Sequence, residues 1–141
     1  MNTKHIDSFA IISKDSDLIA AKSAINIAKK FMRAGFTVKL ISPLISKNFD
    51  AVSISDNLID SNIKCIITVG GDGTILKTVR LIKSQIPILG INFGGRGILT
   101  ELIPTEISKA IEKIKHGQVF FDRRKRIKLF LNSNKSVSAL N

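Results

Sequence analysis

The sequence predicts an α/β fold, a parallel sheet flanked by helices, followed by the first strands of a β-rich unit. Three observations carry that expectation. Short apolar segments rich in Ile and Val alternate with segments of helical periodicity. The connections between them are short, as suits parallel strands whose crossover helices cover both faces of the sheet. Two glycine-rich turns close predicted strands, at the carboxyl ends where such sheets hold their ligands.

Ser8 to Ser13 reads as a short buried strand, and Asp15, Ser16 and Asp17 are capping candidates for a helix from about Leu18 to Ala34. Its apolar positions Ile19, Ile25, Ala28 and Met32 are expected to form the buried face, and Gly35 to stop it. A strand follows from Thr37 to Ser42, ended by Pro43. The stretch from Ile45 to Asn62, rich in Ser, Asn and Asp, reads as a loop with one short helix near Asp56 to Asp60. Lys64 to Val69 is the next strand, and a helix from about Thr74 to Ser84 closes before Pro87. Ile88 to Asn92 is again a strand. Pro104, Thr105 and Glu106 open a helix whose stripe is Ile107, Ala110, Ile111 and Ile114, ending at His116 and Gly117. Beyond it, Val119 to Phe121 and Ile127 to Leu131 read as strands, with a turn at Asn132, Ser133 and Asn134.

At 141 residues the chain accommodates one domain of ordinary size. Its 22 Lys and Arg against 11 Asp and Glu give a net charge of +11, which favours anionic partners. A nucleic-acid platform is disfavoured, because Trp and Tyr are absent and the eight Phe lie on apolar stretches rather than among basic residues. The densest basic run, Arg123 to Arg126 with Lys128, fits a solvated strand edge. No apolar run approaches the roughly 20 residues of a membrane helix. Phe9 to Ile12 is too short for a signal-peptide core and follows Asp7, so no membrane partner and a cytoplasmic setting are expected. Cys65 falls within a predicted buried strand and has no second cysteine to pair with. His5 and His116 lack metal-ligand spacing to other His or Cys, and no protein-held metal site is expected.

Chemistry concentrates in Val69-Gly70-Gly71-Asp72-Gly73-Thr74, which sets one carboxylate among three glycines between a strand and a helix. Glycine there is expected to supply positive φ and a close approach for a phosphate, with the following helix N-terminus favouring the anion. An ordinary Asp-Gly turn is the alternative. Neither common glycine fingerprint, Gly-x-x-x-x-Gly-Lys-Ser/Thr or Gly-x-Gly-x-x-Gly, occurs in the chain.

The second turn, Gly90-Ile91-Asn92-Phe93-Gly94-Gly95-Arg96-Gly97-Ile98-Leu99-Thr100-Glu101, separates families. With the first turn upstream, it resembles the NAD kinase family, whose signatures are Gly-Gly-Asp-Gly-Thr and Gly-Ile-Asn-x-Gly-x-x-Gly-Phe-Leu-Thr-Glu. Lipid kinases and phosphofructokinases share a version of the first only. The resemblance implies a Rossmann-like nucleotide-binding domain over 1–118 and the start of a C-terminal β domain, truncated, over 119–141. It implies phosphorylation of the adenosine 2′-hydroxyl of NAD to NADP, with ATP or inorganic polyphosphate as donor and Mg²⁺ or another divalent metal. Asp72 would be the catalytic base, and Gly70, Gly71, Gly73, Thr74 and Lys77 would lie near the nucleotide, with a helix-surface lysine as the alternative for Lys77. Asn92 and Gly94 would hold the turn against it, Phe93 would face the adenine or pack in the core, and Thr100 and Glu101 would cap the next segment. Arg96 and Ile98 stand where Leu and Phe are common, which leaves substrate preference open.

Ser138-Ala139-Leu140-Asn141 resembles the opening of the family's Ala-Leu-Asn-Glu/Asp segment, which makes Asn141 an NAD-binding candidate. In the family the C-terminal domain supplies most of the NAD site and the oligomer contacts. The complete form is therefore expected to be a homo-oligomer, and the 141 residues alone to be inactive. The alternatives are a noncatalytic nucleotide-binding remnant of that family, or another kinase of the lipid kinase or phosphofructokinase kind.

Overall fold

Aliphatic side chains on successive residues suit strands that are covered on both faces, and the central strands have that character. In the computed structural model, which describes residues 5–14, 17–41, 54–55, 62–82, 84–94, 97–132 and 135–140, they form one parallel sheet. Its strands are β1 (Ser8–Ser13), β2 (Thr37–Ile41), β3 (Ile54–Ser55), β4 (Cys65–Gly70) and β5 (Ile88–Asn92), in the order β3-β2-β1-β4-β5. Every residue of β1 and β4 is buried. Phe9, Ile11, Cys65, Ile67 and Val69 point to one face, where α1 (Leu18–Arg33) and α3 (Ile107–Lys115) pack. Ala10, Ile12 and Ile66 point to the other, against Ile82 at the end of α2 (Asp72–Leu81).

Helix α1 begins at Asp17, whose Oδ1 accepts the amides of Ile19 and Ala20 at 3.0 Å each. It ends before Gly35, which takes φ +95°. Asp15 and Ser16 lie outside the described residues. The buried face is the expected one in part: Ala28 is buried and Ile25 and Met32 pack against the core, but Ile19 is 72% exposed, and Ala20, Ala24, Ile27 and Phe31 complete the face. Three alanines let the helix approach the sheet closely, and Phe31 then meets Phe9 edge-on with 4.8 Å between ring centroids.

Strand β2 stops at Ile41, and Ser42 and Pro43 lie outside the described residues. The stretch read as a loop contains β3, which pairs with Leu40 and Ile41 of β2. The expected helix at 56–60 lies outside the described residues. Helix α2 starts two residues earlier than the sequence suggests, at Asp72, because Gly71 already serves as its N-cap. A single 3-10 turn, Pro104–Glu106, leads into α3, with Glu106 Oε2 accepting the Ile103 amide at 3.0 Å. Ile107 and Ile111 of the expected stripe are buried, and Gly117 at φ +66° follows the helix.

The expected strand at Val119 to Phe121 is irregular chain. Val119 packs on the α1–α3 core, whereas Phe120 is 98% exposed, so the segment offers no continuous face to a neighbouring strand. The second expected strand forms as β6 (Arg126–Asn132), and β7 (Lys135–Leu140) pairs with it antiparallel in a separate two-stranded sheet. The Arg126 guanidinium ties this hairpin to the end of α2 by donating to the Ile82 carbonyl at 2.9 Å.

Candidate functional site

Gly70 ends β4 and Asn92 ends β5, and the two residues are register partners. Both glycine turns therefore leave the sheet side by side, at the carboxyl ends of adjacent parallel strands. The chain's short path from β4 into α2 puts Asp72 in the first turn of that helix.

Asp72 is half-buried and accepts four hydrogen bonds from the second turn. Its Oδ2 takes the Ile98 amide at 2.9 Å. Its Oδ1 takes the amides of Leu99 and Thr100, each at 3.1 Å, and the Thr100 hydroxyl at 3.2 Å. Partial burial works to raise the carboxyl's pKa, but these four donors together outweigh it and hold the group below its ordinary value. Asp72 is thus a carboxylate at neutral pH, gripped by a loop 26 to 28 residues further along the chain.

The glycines divide into two kinds. Gly71 has φ −112° and ψ −169°, ordinary extended backbone, so the positive φ expected of it is absent; an N-cap residue needs only an extended conformation. A Cβ at Gly71 or Gly73 would meet no described atom within 4 Å. Gly70, Gly90 and Gly97 are crowded. A Cβ on Gly70 would meet the Thr74 hydroxyl and lie 3.1 Å from Lys14 Cβ. On Gly90 it would come within 3.0 Å of Thr100 Cα, and on Gly97 within 2.8 Å of Asp72 Cγ.

Thr74 is buried beneath the turn. Lys77 is exposed, four residues after Gly73 and so on the same side of α2. Asn92 holds its turn as expected, its Oδ1 accepting the Gly94 amide at 3.0 Å. Phe93 is 38% exposed rather than packed in the core, and it lines a cavity of about 450 Å³ with Ser23, Asn26, Lys30 and Ile107, whose lining does not include Asp72. Gly95, Arg96 and Asn141 lie outside the described residues.

Thr100 is the residue that sequence reasoning misplaced. Rather than capping the next segment, it is 4% exposed and its hydroxyl joins Asp72 to Asn92. Glu101 is exposed and caps no helix among the described residues; its amide donates to the Gly90 carbonyl. Among the described residues, no three His, Cys, Asp or Glu side chains converge where they could hold a metal ion. Asp72 is a lone carboxylate already surrounded by N–H and O–H donors, so this part of the chain does not form a cation cage.

Residues 9–119 match the family model described as the ATP-NAD kinase N-terminal domain. The chain belongs to the NAD kinase family. It is 35% identical over 133 residues to the NAD kinase of Thermoplasma acidophilum, covering 93% of this chain and 46% of that protein. Over 136 residues it is 33% identical to the NAD kinase of Thermococcus gammatolerans, covering 94% and 49%. The chain spans about half the length of these curated NAD kinases. Among solved structures, yeast NADH kinase complexed with NADH shares the fold at TM-score 0.76 and 18% identity, over 96% of this chain and 46% of that one. An NAD kinase from Archaeoglobus fulgidus in complex with ATP matches at TM-score 0.54 and 27% identity, over 86% and 40%.

Proposed function

We propose that this chain carries the catalytic carboxylate and the nucleotide turn of an enzyme that phosphorylates the adenosine 2′-hydroxyl of NAD to give NADP. The observation that supports it best is the meeting of the family's two signature turns on one carboxylate, Asp72. As the 2′-oxygen bonds to phosphorus and the donor's bridging P–O bond breaks, the hydroxyl proton passes to Asp72, and the leaving phosphate keeps the electron pair. A weakly basic carboxylate suits this step, because in a loose transition state the hydroxyl becomes acidic as it attacks. The open space over Gly71 and Gly73 gives phosphates room beside the amides of the α2 N-terminus. Lys77 follows on the same side of the helix as a cation for the nucleotide.

ATP is the proposed donor, supported by the Archaeoglobus fulgidus relative in complex with ATP; inorganic polyphosphate is the alternative. A divalent ion such as Mg²⁺ would arrive with the donor's phosphates. Residues 1–118 are proposed as the nucleotide-binding domain and 119–141 as the start of a β domain, in a cytoplasmic homo-oligomer once complete. A second reading, a nucleotide-binding remnant without catalysis, is favoured by the four hydrogen bonds that already engage Asp72.

Asp72→Asn in the protein extended by the half its relatives carry decides between them. NADP formation from NAD and ATP is expected to fall about 10²-fold or more with NAD affinity held within about tenfold, since the base is lost; the asparagine NH₂ then stands opposite the Ile98 amide, so a melting curve is taken alongside. Parental turnover would remove Asp72 from the reaction.

A further inference from the structure

Thr100 has one hydroxyl proton and two acceptor positions. Both acceptor positions are used, one by Asn92 Nδ2 at 3.1 Å and one by the Gly97 amide at 3.0 Å. The proton is thereby directed at Asp72 Oδ1, 3.2 Å away. Asn92 is itself fixed, because its Oδ1 accepts the Gly94 amide and so turns its NH₂ toward Thr100. A chain of donors runs from the Gly94 amide through Asn92 and Thr100 to the carboxylate.

The two carboxylate oxygens end up unlike. Oδ1 accepts three hydrogen bonds, which exceeds its two lone pairs and leaves it no capacity for another donor. Oδ2 accepts one, from Ile98, and keeps a lone pair. Gly97 and Gly90 are the space that this arrangement needs, since a Cβ at either would collide with Asp72 or with Thr100.

From this geometry we infer that Thr100 is a positioning residue, held by Asn92, that makes Asp72 Oδ1 the more heavily engaged and less basic oxygen and leaves Oδ2 as the oxygen that receives the proton of the substrate hydroxyl. The inference rests on the proposed role of Asp72 and goes beyond it by naming the reacting oxygen and the side chains that select it. Without the Thr100 hydroxyl, Oδ1 keeps the Leu99 and Thr100 amides but loses its third donor, so it gains basicity relative to Oδ2, and the carboxylate loses a side-chain contact that limits its rotation. The loss should appear in turnover more than in binding, because Thr100 is only 4% exposed and its hydroxyl is spent on Asp72, Asn92 and Gly97.

The test compares Thr100→Val, Thr100→Ser and Asp72→Asn in the protein extended by its C-terminal half, with melting curves and amide spectra of the 141-residue chain as controls of fold. Thr100→Val keeps the shape and removes the hydroxyl; it is expected to lower kcat about 10- to 100-fold with KM for NAD within about threefold. Thr100→Ser, which restores the donor, is expected to recover kcat to within about threefold of the parent. In the short chain, Thr100→Val should shift the Leu99 and Thr100 amide signals while the β1 and β4 signals stay. A folded Thr100→Val with parental kcat beside an inactive Asp72→Asn would overturn this inference and leave the proposed function standing. A Ser variant as slow as Val would also overturn it. Parental turnover in Asp72→Asn would overturn both.

Discussion

Gly97→Ala and Gly71→Ala put the same methyl group into the two motifs, and the structure gives them opposite consequences. At Gly97 the new Cβ falls 2.8 Å from Asp72 Cγ and closer still to Asp72 Oδ1 and Thr100 Oγ1. Asp72 cannot step aside cheaply, because rotation of its carboxylate breaks its bonds to Ile98, Leu99 and Thr100. Forcing a methyl into so tight a site typically costs about 1–3 kcal/mol. In a chain of this length each kcal/mol moves the melting temperature by about 3–4 °C, so a fall of roughly 3 to 12 °C is expected. The Leu99 and Thr100 amide signals should move with it. At Gly71 the methyl meets nothing within 4 Å, on extended backbone that alanine adopts freely. Stability there should stay within about 1 kcal/mol of the parent, since alanine restricts the unfolded chain but is a poorer N-cap than glycine. ATP affinity, measured by calorimetry in the extended protein, should fall for Gly71→Ala because the methyl occupies the proposed phosphate approach. A Gly97→Ala protein that melts with the parent and keeps its Leu99 and Thr100 signals would refute the reasoning. So would Gly71→Ala losing as much stability as Gly97→Ala.

Phe31→Ala, which empties a site 1% exposed between Phe9 and Phe36, should cost about 3–5 kcal/mol by chemical denaturation. Thr68 Oγ1 is buried and has no hydrogen-bond partner among the described residues; Thr68→Val should therefore leave the melting temperature unchanged or raise it, because an unsatisfied hydroxyl is lost from an aliphatic layer. Burial raises the Cys65 thiol from 9.0 to about 12, so iodoacetamide at about pH 8 should label it only after unfolding. The folded state holds that proton more tightly than the unfolded one, so this contribution to stability is full below pH 9.0 and is lost as pH rises toward about 12, readable as a falling denaturation midpoint that Cys65→Ala should flatten.

The sheet was legible because its strands are continuous apolar runs: Phe9 to Ile12 and Cys65 to Val69 have no other use than burial on two faces. The ends of α1 were legible for the same local reason, an Asp17 that caps and a Gly35 that stops. Its buried face was legible only in part: Ala28, Ile25 and Met32 face the core, and Ile19 does not. The helix carries two apolar stripes, and the choice between Ile19 and Phe31 was made by Phe9 and Phe36, which lie elsewhere in the chain. Strand β3 has two residues and no pattern to detect. The grip on Asp72 escaped for a more general reason. Three of its four donors are backbone amides, which every residue but proline possesses and which leave no mark in a sequence. One signal was present: Asp72 comes just after a strand of a parallel sheet, at the end where turns from neighbouring strands converge.

The glycines carry that argument one step further. Gly70, Gly90 and Gly97 are accounted for by the protein itself: each gives way to a named neighbour, Thr74, Thr100 or Asp72, and together they let two turns from adjacent strands close on one carboxylate. Gly71 and Gly73 are not, since no described atom stands where their side chains would be and neither has a backbone at positive φ. Within one short motif, folding therefore explains Gly70 and the position of Asp72, and leaves two glycines flanking that carboxylate whose open space serves nothing in the described fold. A phosphate drawn to the α2 N-terminus is the kind of group that would use it. The same turn thus separates what builds the site from what the site is built for.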